Sequence, residues 1–152
     1  MICSKSIADY DPNFDNEHND YQKELLTYIN ENNILVLLDL HGSSSKRQYA
    51  IDIGTFNDVL KSLKNYKFII PLIKEIFQNL SEKYRLNNGE ITVNNTFSGG
   101  KQNTVTNFIS EYSTCACAQL EINSLYRDFN NEEYLLCLIK TLITLIESLV
   151  IK

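Results

Sequence analysis

The sequence predicts an α/β protein: a three-layer α/β/α sandwich with helices on both sides of a mixed, mostly parallel sheet. Short apolar runs typical of buried strands alternate along the chain with longer amphipathic stretches typical of helices. The 152 residues also show no internal repeat and no change of composition that would mark a second domain. We therefore expect one domain, residues 1–152.

Apolar runs bounded by turn residues predict the strands. The run Ile34–Leu38 is short and continuous and ends at Asp39, as expected for a strand that is buried on both faces. Asn87-Asn88-Gly89 is a turn signal that precedes another strand. The predicted strands are 34–39, 49–53, 90–94 and 114–122.

Helical periodicity fills the segments between these strands. The longest apolar stripe includes Ile69 and Leu72, and Pro71 is tolerated there because it falls in the first turn. Glu132 and Glu133 open the last helix, where carboxylates interact favourably with the helix dipole. The predicted helices are 20–29, 57–63, 69–84, 103–112 and 130–149, and residues 1–18 form a polar lead-in.

Composition and charge exclude several function classes. The net charge is −5, the pI is about 5.0 and the basic residues are scattered, so we expect no nucleic-acid or membrane partner. The most apolar tract, 135–151, contains Lys140 and Glu147 and is too short to cross a bilayer. The start resembles no signal peptide, and the four cysteines lack the spacing of a secreted scaffold. These features predict a reduced, cytoplasmic protein in which Cys115 and Cys117 are core residues rather than a metal clip.

Polar residues near the ends of two predicted strands carry the candidate chemistry. Asp39-Leu40-His41-Gly42 closes the first strand with a glycine that lets the chain turn away. Gln119, Glu121 and Asn123 alternate along the last strand and share one face. If these strands are neighbours, an imidazole and a carboxylate converge at one carboxyl edge, which suits metal-assisted hydrolysis. The alternative is a histidine that caps a loop and a glutamate in a surface ion pair.

Four ordered motifs, taken together, resemble a known enzyme family. They are Asp39-Leu40-His41-Gly42, Asp52-Ile53-Gly54, Val93 to Gly100, and Gln119-Leu120-Glu121-Ile122-Asn123 with Tyr126-Arg127-Asp128. Over about residues 4–150, the chain is similar to the N-formylglutamate amidohydrolases, relatives of the zinc carboxypeptidases and of succinylglutamate desuccinylase. The resemblance implies a phosphorylase/hydrolase-like fold and zinc-dependent hydrolysis of the amide bond of a small N-acyl amino acid.

The resemblance also implies roles for individual residues. His41 becomes a zinc ligand, and Glu121 becomes the base that takes a proton from water and the acid that returns it to the leaving amine. The loop from Asn94, with Gly99 and Gly100, shapes the substrate pocket, unless these glycines form an ordinary flexible turn.

Three further charged residues lie near this predicted centre. We expect Asp39 and Asp52 to orient neighbouring groups. Arg127 either pairs with a carboxylate of the substrate or pairs with Asp128 or Glu132 on the surface.

The resemblance is incomplete on the amino-terminal side. Family members draw two further metal ligands from a Pro-His-x-Gly-like segment and a following acidic residue, and we expect this chain to be truncated before them. His18, Asp9 or Asp52 then substitutes, or a separate amino-terminal polypeptide completes the site. Tyr10 and Asp11 stand where the family often has an Asn-Arg pair. The competing function is therefore a catalytically inactive domain that binds a small acidic metabolite or a protein partner, with self-association at an exposed sheet edge.

Overall fold

The computed structural model describes residues 20–55, 68–86, 89–96 and 104–150. In this part of the chain the helices are α1 (Asp20–Glu31), α2 (Ile69–Lys83), α3 (Val105–Tyr112) and α4 (Glu132–Val150). The strands are β1 (Val36–Ser43), β2 (Tyr49–Gly54), β3 (Glu90–Val93) and β4 (Ala116–Asn123), and a 3-10 turn, Ser124–Arg127, follows β4. The predicted lead-in, the predicted helix 57–63, and Gly99 and Gly100 lie outside the described residues.

The four strands form one mixed sheet in the order β1-β4-β2-β3. β1 runs parallel to β4 and β2 runs parallel to β3, whereas β2 and β4 are antiparallel. The α/β class and the mixed, mostly parallel sheet are therefore confirmed. β4, the strand that carries Glu121, is central and is buried along its whole length.

Alternation along β4 separates two hydrophobic clusters. Ala118, Leu120 and Ile122 belong to the larger cluster, which also contains residues of α2 and α4 such as Phe77 and Leu145. Cys117 has the opposite parity and packs with residues of α1 and α3, namely Leu25, Ile29, Val105 and Ile109. We call the side of the sheet that Cys117 faces the α1/α3 face. Past Cys117, this face continues with Gln119, Glu121 and Asn123.

The end of β1 corrects the predicted role of Gly42. The strand does not turn away after His41 but continues in register with β4 as far as the pair Ser43 and Asn123. Arg127 donates from Nε to the carbonyl of Ile122 at 3.1 Å and from Nη2 to the carbonyl of Ser43 at 3.2 Å. A Cβ atom at Gly42 would lie 2.7 Å from Cζ of this guanidinium. The glycine therefore makes room for the arginine that ties the two strand ends together.

Two other sequence features have clear structural counterparts. Gly89 has a φ of +88°, and a Cβ atom there would lie 2.5 Å from the backbone nitrogen of Ala50, so the predicted turn requires glycine. The three described cysteines, Cys115, Cys117 and Cys137, are buried free thiols. Within the described ranges, no helix is long and apolar enough to cross a bilayer.

Candidate functional site

A polar row crosses all four strands of the sheet. His41 of β1 is in register with Glu121 of β4, Glu121 with Asp52 of β2, and Asp52 with Thr92 of β3. Because residues in register share a face, the four side chains lie on the α1/α3 face. The structure thus brings together the imidazole and the carboxylate that the sequence placed on separate strands. The row lies two residues before the ends of β1 and β4, within the sheet rather than beyond its edge.

Glu121 is a buried carboxyl group with few compensating contacts. Only 5% of the residue is exposed, and Nε2 of Gln119 donates to its Oε1 at 2.8 Å. Burial raises the pKa of Glu121 above its usual value, although the charge of His41 and the amide of Gln119 oppose the shift. Asp39 and Asp52 raise the pKa of Glu121 further. A carboxylate whose charge is disfavoured by burial is a stronger base, which suits it to take a proton from water.

Asp39 lies close to the imidazole of His41. Oδ1 of Asp39 lies 3.0 Å from Nε2 of His41, and Oδ2 accepts a hydrogen bond of 3.1 Å from Oγ1 of Thr106. The two side chains of the pair are 23% and 19% exposed, so water reaches them only partly. Thr106 belongs to α3 and is buried. The helix therefore fixes the carboxylate, and the carboxylate lies within ion-pair distance of one ring nitrogen, so it favours the protonated imidazole.

Asp52 organises the turn that follows β3. Its carboxylate is fully buried and accepts from Oγ1 of Thr92 at 2.8 Å, from the amide of Asn95 at 3.1 Å and from the amide of Thr96 at 2.8 Å. Each oxygen thus has a donor, which offsets the cost of burying the charge. Asp52 therefore orients backbone groups next to the polar row, and its role beside a catalytic centre remains a prediction.

Asn94 acts on the end of β2. Its Oδ1 accepts from the amide of Thr55 at 2.9 Å, and its Nδ2 donates to Oγ1 of Thr55 at 2.8 Å. Both ends of the Asn94 amide are therefore engaged with protein. A substrate contact through the Asn94 side chain remains a prediction, as it does for Gly99 and Gly100 outside the described residues.

Arg127 lies at the carboxyl ends of β1 and β4, just past the polar row. Its Nε and Nη2 atoms donate to backbone carbonyls, as described above. Asp128, one of its expected surface partners, instead accepts hydrogen bonds from the side chains of Asn130 and Asn131. The contacts thus show Arg127 as a clamp on the strand ends, and its pairing with a substrate carboxylate remains a prediction.

The described donor set does not fit a catalytic zinc ion. Such a site needs three protein ligands, and no three His, Cys, Asp or Glu side chains within the described ranges are placed to hold a metal. Asp52, one of the suggested substitutes, is engaged with the turn after β3. His18 and Asp9, the other two, lie outside the described residues.

Two residues that shape the site had no predicted role. Gln119 was expected only to share a face with Glu121, yet its amide is the group that contacts that carboxylate. Thr106 carried no signal, because a threonine within a predicted helix does not reveal which strand it faces.

Comparison of the chain with known proteins gives no relative from which the roles of these residues could be transferred. No protein-family model, no curated protein and no solved structure matches the chain.

Proposed function

We propose that this chain is an amidohydrolase-like domain that cleaves the amide bond of a small N-acyl amino acid. The observation that carries the proposal is the register of His41 with Glu121 on adjacent strands, with a carboxylate oxygen of Asp39 3.0 Å from Nε2 of the imidazole. The motif resemblance to the N-formylglutamate amidohydrolases indicates the substrate class. We also propose the three-layer α/β/α architecture, which the two hydrophobic clusters on opposite sides of β4 support. The free, buried cysteines support a reducing, cytoplasmic setting.

Glu121 supplies the proton transfers in this reaction. Its carboxylate takes a proton from water while the water oxygen bonds to the acyl carbon, giving a tetrahedral intermediate. The carboxyl group then returns that proton to the amide nitrogen as the carbon–nitrogen bond breaks. The products are the carboxylic acid and the free amino acid. The raised pKa of Glu121 favours the first transfer, because a carboxylate whose charge is poorly solvated is a stronger base toward water.

The incomplete ligand set among the described residues favours a second function. Since the described residues offer no three-ligand group, the polar row can instead take part in binding an acidic metabolite without turnover. This alternative keeps the fold and the polar row and assigns no proton transfer to Glu121.

Hydrolysis of N-formyl-L-glutamate by the full-length protein distinguishes the two functions. The protein is assayed before and after loading with zinc, its metal content is measured, and released formate is quantified. We expect hydrolysis that Glu121→Gln reduces by at least about a hundredfold, since general acid–base catalysis contributes roughly that much or more. The matched control is Glu90→Gln, on an exposed residue of β3, which should leave the rate unchanged. Binding of N-formyl-L-glutamate without formate release, with and without zinc, would instead establish the binding domain.

A further inference from the structure

The carboxamide of Gln119 has one satisfied end and one unsatisfied end. Only 5% of the residue is exposed, and its Nε2 donates to Oε1 of Glu121 at 2.8 Å. Its own Oε1 is buried and has no hydrogen-bond partner among the residues that the structure describes. Native proteins rarely leave a buried carbonyl oxygen unpaired, because such an oxygen has lost its contacts with water and gained none in return.

The neighbours of Gln119 in the sheet cannot supply the missing donor. On β1 it is in register with Asp39, whose carboxylate only accepts hydrogen bonds and is already engaged by His41 and Thr106. On β2 it is in register with Gly54, which contributes no side chain. The oxygen therefore lies beside Glu121, between the carboxylate of Asp39 on one neighbouring strand and Gly54 on the other, and neither side chain can donate a hydrogen bond to it.

We propose that Oε1 of Gln119 recognises the nitrogen of the ligand by accepting a hydrogen bond from the N–H group of an N-acyl amino acid. The identity of this ligand rests on the proposed function. One rigid, planar carboxamide then fixes two groups at once: its Nε2 holds the carboxylate of Glu121, and its Oε1 holds the amide nitrogen next to that carboxylate. With its N–H bonded to Gln119, the nitrogen keeps its lone pair available for the proton that Glu121 returns. Gln119 thus determines specificity for amides over ligands that lack an N–H.

A ligand pair that differs only in the N–H tests this role. The pair is N-formyl-L-glutamate and the corresponding ester, in which oxygen replaces the N–H group. Gln119→Met removes the acceptor at similar volume, and Gln119→Glu retains acceptor oxygens. The control is Gln78→Met, because Gln78 is exposed on α2, on the other side of the sheet, where it bonds to Glu82 at 3.1 Å.

The measured quantity is kcat/KM for the amide divided by kcat/KM for the ester. The two compounds differ in intrinsic reactivity, but this difference is the same for every variant, so it cancels when the ratios of two variants are compared. We expect Gln119→Met to lower this ratio about tenfold, the effect of one lost hydrogen bond, and Gln78→Met to leave it unchanged. Gln119→Glu should keep the ratio while lowering both rates, because it places a second carboxylate beside Glu121. An unchanged ratio in Gln119→Met, with a native circular dichroism spectrum, would overturn the inference.

A binding measurement separates this inference from the proposed function. Calorimetry in the Glu121→Gln background, where turnover is blocked, gives a dissociation constant for each ligand. Gln119→Met should weaken binding of the amide about tenfold and leave binding of the ester unchanged. If the wild-type protein hydrolyses neither compound but this binding difference holds, the hydrolase proposal fails and the role of Gln119 stands. If the amide and the ester bind equally well to Glu121→Gln, or neither binds, the role of Gln119 is refuted.

Discussion

Replacing Asp52 with asparagine should destabilise the fold strongly, although the two side chains have nearly the same shape. The carboxylate is fully buried and accepts three hydrogen bonds, from Thr92, Asn95 and Thr96. An asparagine amide places an NH2 group where one oxygen was, so at least one donor of the turn faces another donor. A hydrogen bond to a charged group contributes about 1.5–3 kcal/mol, and the remaining bonds weaken because they lose the charge.

We therefore expect Asp52→Asn to lower the free energy of unfolding by about 2–4 kcal/mol, out of the roughly 5–15 kcal/mol typical of a domain. Urea denaturation followed by circular dichroism measures this loss. The control is Asp128→Asn, because Asp128 also accepts three hydrogen bonds, from Asn130 and Asn131, but two of them are exposed to water. That variant should lose no more than about 1 kcal/mol, since water replaces the lost contact. Equal losses in the two variants would refute the reasoning.

Three further predictions follow from the contacts around the polar row. Gly42→Ala should cost about 1–2 kcal/mol by displacing the guanidinium of Arg127, and almost nothing in an Arg127→Met background, as a double-mutant cycle in urea would show. Thr106→Val removes a buried donor to a carboxylate and should cost about 1.5–3 kcal/mol, with slower turnover in the formate assay. The third prediction concerns pH, because the pKa of Glu121 is higher in the folded protein than in the unfolded chain. Between these two pKa values the folded protein binds more protons, so the free energy of unfolding falls as the pH rises through that range. Glu121→Gln should lack this fall in a series of urea titrations across pH.

Each of these predictions has a contrary outcome. If Gly42→Ala still lowers the free energy of unfolding in the Arg127→Met background, the added methyl group clashes with the backbone rather than with the guanidinium. The control for Thr106→Val is Thr141→Val, because Thr141 is equally buried but bonds to the carbonyl of Cys137 within α4, away from the row. If Thr141→Val slows turnover as much as Thr106→Val does, the effect is not specific to the site. Parallel pH curves for Glu121→Gln and the wild type would mean that Glu121 titrates normally.

Local sequence signals predicted the elements well because each element has a signal of its own. The apolar run Ile34–Leu38 and the turn at Gly89 predicted β1 and β3 to within a few residues. The predicted end of β1 was wrong. A glycine after an apolar run usually indicates a turn, but a glycine can also be required within a strand where the side chain of a distant residue lies against it. Here that residue is Arg127, more than eighty positions along the chain, and no local pattern reports its position.

The candidate site was predictable only in part, because its contacts depend on register between strands. Strand alternation placed Gln119 and Glu121 on one face, but it did not reveal that the amide of Gln119 contacts the carboxylate. The pairing of His41 with Glu121 required β1 and β4 to be neighbours, and strands separated by two others in the sequence need not be. Asp52 was expected to orient nearby groups, but the groups that it orients are the backbone amides of Asn95 and Thr96, which the sequence could not specify.

The two buried carboxyl groups of the polar row differ in how well the protein compensates them. Asp52 has a donor for each oxygen, so its burial contributes to the stability of the turn after β3. Among the described residues, the hydrogen-bond donor to Glu121 is the amide of Gln119, and burial raises the pKa of Glu121, so its ionised form costs stability. Asp52→Asn should therefore destabilise the protein at pH 7, whereas Glu121→Gln should stabilise it. Because the carboxyl group of Glu121 lowers stability, its presence calls for a functional explanation. Opposite signs for these two isosteric substitutions would show that the carboxylate of Asp52 stabilises the fold and that the carboxylate of Glu121 is retained against stability.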